Sequence, residues 1–276
     1  MSERPSNRSL LQIQSAYQLR MFFRSPMAAF FTLFFPLMIF LVFSLVFGNS
    51  TSGVTGVTAA QYYAPAMAVF AAVSATYTNL AVTTAYQRDL GILKRVRGTP
   101  LPSSIYMVAK IVAATLIAAL AVGIMMTIGV VFYGVQIFAA TILSATVTFG
   151  VGVATFAALG LLVAAVSSSG EAATSITNAT LLPLAFFSGI FIIPTADTPS
   201  WIETFSRIFP LKHFVEPFVA AFNPETVGAG WDWASILYMS LWGVVAVILA
   251  IRYFKWSPPQ GREVRRRGHQ SASVDT

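Results

Sequence analysis

Apolar residues fall in long runs along this chain, and the segments between them are short and mostly basic. A helix needs about 20 predominantly apolar residues to cross the hydrocarbon core of a bilayer, rising about 1.5 Å per residue. Five runs reach that length: Met27 to Phe47, Gln61 to Ala85, Ile105 to Tyr133, Phe138 to Val166 and Ala234 to Ile251. A sixth, Ala172 to Ile193, starts polar and becomes Leu181-Leu182-Pro183-Leu184-Ala185-Phe186-Phe187. Pro36, Pro65 and Pro183 are compatible with membrane helices, where neighbouring helices and hydroxyl side chains satisfy the freed carbonyls. The pattern predicts an all-α membrane protein with six transmembrane helices.

Three segments between and before the runs carry patterns of their own. In the first 25 residues Leu10, Ile13, Tyr17 and Met21 recur at helical spacing beside Arg20 and Arg24, which suits an amphipathic helix lying in the membrane interface; a frayed terminus is the alternative. Between runs two and three, Leu90, Leu93 and Arg97 fall on one helical face, and Ile92 and Val96 form an apolar pair one turn apart. Pro100 and Pro102 then end that short basic helix. It can dock into a groove of another protein or rest on anionic lipid headgroups, and its own residues favour neither. The stretch from Pro194 to Trp233 carries Trp201, Ile202, Phe205, Ile208, Phe209, Phe214, Val215, Phe218 and Phe222, too many apolar side chains for a loop in water. Short amphipathic helices dipping into the outer leaflet fit it, with Trp231, Trp233 and Tyr238 marking the interface where the last span begins.

Composition agrees with the pattern. The chain is 56% hydrophobic and 10% charged, against about 25% charged in soluble domains. Its net charge of +7 is placed by topology rather than gathered into a nucleic-acid-binding face. With both termini cytoplasmic, 15 of the 17 Lys and Arg fall inside, leaving only Arg207 and Lys212 outside with Asp197, Glu203, Glu216, Glu225 and Asp232. The tail from 257 to 276 is basic, then Ser-rich, and reads as disordered, so the membrane domain is 1–256. No secretory leader is evident in the first 25 residues.

The chemistry that is missing narrows the function. No ionisable residue lies in the interior of a run; Lys110 and Glu171 sit near run ends, where long side chains reach the interface. Ion-coupled carriers generally hold their coupling ion on such a group or on an unwound helix, so a secondary transporter is disfavoured. His213 and His269 are the only histidines, neither in a metal-ligand pattern, and His213 reads as an interfacial polar residue rather than a base. There are no cysteines and no G-x-x-x-x-G-K-[ST], so any ATP must be bound by a partner. Small residues at Gly150, Gly152, Ala154, Ala158, Gly160 and Ala164 mark close helix packing in the fourth run.

Two stretches resemble the bacterial ABC-2 type exporter permeases, the group containing the daunorubicin-resistance-like transmembrane subunits. Gln87-Arg88-Asp89-x-Gly91-x-Leu93-Lys94 leading to Thr99-Pro100-Leu101 is similar to the family's acidic-Arg-acidic-x-Gly segment. Leu182-Pro183, Ser188-Gly189-Ile190-Phe191, Pro194, then Pro199-Ser200-Trp201-Ile202 and Phe209-Pro210-Leu211 is similar to its "SG-hydrophobic-P … P-x-W … N-P-L" region. Gln87 stands where the family usually has an acid, and Phe209 where it usually has Asn.

The resemblance implies two permease chains (identical or paralogous) driven by two copies of a cytoplasmic ABC ATPase subunit, which holds the ATP and magnesium. It implies a coupling helix formed by Arg88, Asp89, Leu90, Gly91, Leu93, Lys94, Val96 and Arg97, with Ser167 to Glu171 as a smaller contact. It places the path in the cleft between the two permease chains, lined by spans two and five, on which Phe70, Tyr77, Asn79, Thr177, Asn178, Thr180 and Phe186 lie, and implies an outer lid carrying Trp201, Phe205 and Phe209. An apolar wall with a few neutral polar groups suits a hydrophobic or amphipathic, drug- or lipid-like cargo, although helix packing explains each of these residues equally well. The expected protein is therefore a non-catalytic exporter subunit of the bacterial inner membrane, in contact with membrane lipid and not with nucleic acid. Its chief rival is a membrane scaffold that anchors an ATPase without a path of its own.

Overall fold

A computed structural model describes residues 6–47, 56–195 and 198–254. Arg4, Asp197, Lys255 and the tail 257–276, with the disorder expected there, lie outside the described residues. The described chain is helical, with ten elements: α1 (Asn7–Phe23), α2 (Pro26–Phe47), α3 (Ala59–Asp89), α4 (Ile92–Arg97), α5 (Ser103–Tyr133), α6 (Ile142–Val166), α7 (Gly170–Phe187), α8 (Ser200–Arg207), α9 (Pro210–Ala220) and α10 (Trp233–Tyr253). Five of them, α2, α3, α5, α6 and α10, are long and apolar enough to cross a membrane.

α3 is the axis of the bundle. Nearly every residue from Ala59 to Tyr77 is buried, and the row of Ala64, Ala66, Ala68, Ala71, Ala72 and Ala75 lets neighbouring helices come close. Pro65 sits within it without breaking it. At Ser74–Asn79 the helix widens into a π turn. There α6 presents Gly160, where a Cβ would stand 2.7 Å from the carbonyl oxygens of both Thr76 and Tyr77. Only glycine allows that approach of backbone to backbone. A second π turn, Phe30–Phe34, precedes Pro36 in α2, where a proline would otherwise meet the carbonyl four residues back.

The direction of each helix follows from named contacts. α10 runs parallel to α6: Gly230 lies against Thr141 and Ser144, and Gly243 against Thr155, while the Thr155 hydroxyl donates to the Met239 carbonyl at 2.9 Å. The chain must therefore return along the bundle between them. α7 does this antiparallel to α3. Its first amide, Gly170 N, donates to Asp89 at 2.7 Å, and just past its end the Gly189 carbonyl accepts from Tyr62 at 2.7 Å. The sixth apolar run is thus helical from Gly170 to Phe187, shorter than 172–193 at one end, and its polar first half keeps it out of the five clear spans.

Three expectations are revised. α9 does not lie on a leaflet: Leu211, Phe214, Val215 and Phe218 are buried against α3, α6 and α10. α1 does present Ile13, Tyr17 and Met21 outward, but the face it packs on α5 is Ser15, Gln18 and Phe22, largely polar. Leu90 and Leu93 do not share a helix. Gly91, at φ 70°, breaks α3 from α4 between them, so Leu90 is 66% exposed and Leu93 wholly buried.

Candidate functional site

The helix end at Asp89 is built as a latch. The last carbonyls of a helix have no partner within it, and the first amides of the next have none either. Arg88 and Asp89, side by side at the end of α3, supply both. Arg88 Nη1 donates to the Ala164 carbonyl at 2.7 Å and Nη2 to the Ser167 carbonyl at 2.6 Å. Asp89 Oδ2 accepts from Gly170 N, at the start of α7. Ser169 caps the same helix by accepting from Ala172 N at 3.1 Å. One dipeptide thus holds the end of α6 and the start of α7 together, immediately before the Gly91 break that leads into α4.

Around the latch lies a buried polar layer. Tyr106 donates to Gln87 Oε1 at 2.7 Å, so the residue standing in an acidic position of the motif is used as a neutral acceptor. Lys110 does not reach the interface. It is 3% exposed and its ammonium donates to Thr84 Oγ1 at 2.8 Å, which ties α5 to α3. Gln18 and Ser15 of α1 close this layer from the side. α4 projects from it, seated by the buried Leu93, with Lys94, Arg95 and Arg97 exposed and Val96 half-buried.

The proposed path residues divide into three sets. Tyr77 and Thr180 meet directly, their hydroxyls 2.8 Å apart across α3 and α7. Phe70 and Phe186 both pack on Phe191, with ring centres 5.1 and 4.8 Å away, forming an aromatic cluster. Asn178 is exposed on α7, Thr177 faces the core and bonds back to its own helix, and Asn79 is half-buried at the end of the π turn. The residues expected to form the lid make a chain of rings: Phe187 touches Trp201 at 6.1 Å and Phe205 at 5.6 Å, and Phe205 touches Phe209 at 5.1 Å. In α8 the Arg207 side chain donates to Glu203 at 2.8 Å, which holds that carboxyl below its ordinary range. His213 bridges Ser235 and the Arg207 carbonyl and lies against Tyr238, a positioning role in the packing.

The model of the ABC-2 type transporter matches residues 9–223, from α1 to just past the end of α9, a range that includes the latch. The chain belongs to the ABC-2 type transporter family. A relative in Bacillus subtilis (strain 168), YvfS, named as a candidate transport permease, is 22% identical over 206 residues, which is 75% of this chain and 82% of that one. This ABC-2 permease is a multi-pass membrane protein.

Sequence reasoning missed the inward orientation of Arg88 and Leu93. A short basic segment after an apolar run reads as surface. The signal available was the pair Arg88-Asp89 followed by Gly91, two opposite charges placed where a helix has to stop.

Proposed function

We propose that this ABC-2 permease is the transmembrane subunit of an ATP-driven exporter in a bacterial inner membrane, moving a hydrophobic or amphipathic compound outward. Two permease chains would work with two separate ABC ATPase subunits, which would hold the ATP and magnesium. The family supports an ATPase partner in general terms. The observation that carries the coupling is the latch: only Leu90 and Gly91 separate it from α4, so a push on α4 would reach α6 through Arg88 and α7 through Asp89.

In this reading six helices cross the membrane. α7 supports the sixth crossing because it runs the length of α3 between Asp89 and Tyr62. The end bearing the latch faces the cytoplasm, since α1, α4 and the end of α10 bring Arg20, Arg24, Lys94, Arg95, Arg97 and Arg252 there. α4 would be the coupling helix. The docking surface would be Leu90, just before this helix, and the helix's cations Lys94 and Arg97 rather than Leu93, which is wholly buried. Closure of the ATPases would rock α4 and, through the latch, change how α7 meets α3 at Tyr77 and Thr180, while the ring chain from Phe187 to Phe209 closes the outer end.

The test is to purify the protein gently from its native membrane and identify what accompanies it in stoichiometric amount. An ABC ATPase is expected, and it should be lost from the Leu90→Asp/Lys94→Glu variant while that variant remains monodisperse. Absence of any ATPase even after mild cross-linking, or its full retention by the variant, overturns the reading.

A further inference from the structure

We propose that the cavity at the Tyr62 end of the bundle is a binding site for a lipophilic organic amine, with its protonated nitrogen at the rim beside Glu225 and its apolar body on the floor. For its biological role the proposal rests on the permease reading, but the binding itself does not. The cavity measures about 350 Å³, within the size range of small-molecule sites. Its floor is formed by buried Val57, Val215 and Phe222, and its rim is exposed at Glu216 and Glu225.

The polar groups of the floor are nearly all engaged. Gln61 donates to the carbonyls of Gln136 and Phe222, at 2.9 and 2.6 Å, and accepts from Gln136 N at 2.8 Å. The Tyr62 hydroxyl donates a hydrogen bond to the Gly189 carbonyl. Ser188 differs. It lines the cavity, is 2% exposed, and its hydroxyl has no hydrogen-bond partner among the described residues. A buried hydroxyl without a partner is costly unless something supplies one, and a ligand in this cavity would.

Charge selects the class of ligand. Glu216 pairs with Lys212 at 3.3 Å. Glu225 has no cation within ion-pair distance among the described residues, and its carboxylate lies against Gly56, where a Cβ would come within 2.8 Å of Oε1. One carboxylate is therefore left uncompensated at the mouth of an apolar pocket. An anion is repelled there. A metal ion would find two carboxylates, one of them already held by a lysine, over a floor of aliphatic and aromatic carbon. An amine on an apolar body satisfies both halves: charge at Glu225, desolvated carbon below, and a donor or acceptor for Ser188.

The test uses the purified full chain in nanodiscs of neutral phosphatidylcholine, titrated with monodansylcadaverine, which keeps one free amine, and with its N-acetylated neutral derivative. Dansyl fluorescence reads binding to each. The wild type should prefer the amine. Glu225→Gln should weaken amine binding about threefold at low salt, with a smaller effect at high salt, and leave the acetylated probe unchanged, since a charge at an exposed rim contributes modestly and is screened. Val219→Trp, which fills the cavity, should weaken both probes and so separates site binding from partition into lipid. Equal affinity of the wild type for the two probes, or an unchanged amine affinity in Glu225→Gln, overturns the proposal. Since no ATPase is present, failure here leaves the exporter reading standing, and loss of the ATPase partner leaves this site standing.

Discussion

The guanidinium of Arg88 satisfies two carbonyls that α6 would otherwise leave bare, those of Ala164 and Ser167. Hydrogen bonds to a charged group are worth about 1.5–3 kcal/mol. Arg88→Met removes the donors and strands both acceptors in a buried place, so thermal unfolding followed by tryptophan fluorescence should show a clearly lowered midpoint. Arg88→Lys, with one point charge in place of a fork, should fall between. A midpoint unchanged in Arg88→Met would mean that the latch bears no load. Tyr77 behaves differently. Its bond to Thr180 joins two neutral hydroxyls, and such bonds between membrane helices average about 0.6 kcal/mol. Tyr77→Phe should therefore hardly change stability. Tyr77→Ala with Asn178→Ala should depress transport and drug-stimulated ATP hydrolysis, if the two helices line the path. Activity equal to wild type in the double variant removes both residues from the path assignment.

At the scale of elements, the apolar runs announced α2, α3, α5, α6 and α10 with boundaries close to those observed. Run length and bilayer thickness decide a span without any tertiary information. The remaining elements depend on what covers them, which spacing does not encode. The aromatic face of α9 suits a leaflet as well as it suits a groove between helices, and here α3, α6 and α10 cover it. The six residues of α4 carry Leu93 inward and Lys94 and Arg97 outward because Gly91 turns the chain, a rotation that helical spacing counted from Leu90 gets wrong. The small-residue stripe on α6 was legible as close packing, and Gly160 shows its sharpest instance. A methyl there meets backbone oxygens at 2.7 Å, not the end of a movable side chain. Gly160→Ala should cost about 1–3 kcal/mol, the range for overpacking a filled interior, whereas Gly150→Ala, which meets open space, should be near neutral. Equal unfolding midpoints for the two variants would show that α6 and α3 separate without penalty.

For the whole molecule, the path of the chain makes a claim about sides that chemistry can read directly. The protein contains no cysteine, so a single introduced thiol is the only target for a membrane-impermeant maleimide. Ser168 is exposed in the turn between α6 and α7, and Val227 is 93% exposed in the segment before α10. The two lie on either side of α7. If α7 crosses the membrane, as its antiparallel course along α3 supports, they must label from opposite faces. If it turns back, they label from the same one. The distribution of Lys and Arg adds the sense in the proposed orientation: the latch end carries the cations, and the bias of Lys and Arg in short loops would put that end inside. Ser168→Cys should therefore stay unlabelled in intact cells and react once the membrane is permeabilised, while Val227→Cys should react in intact cells. Labelling of both from one face would reduce the protein to five crossings and take the proposed path lined by α3 and α7 with it. Labelling in the reverse sense would keep six crossings but turn α4 away from the cytoplasm, where no ATPase could reach it.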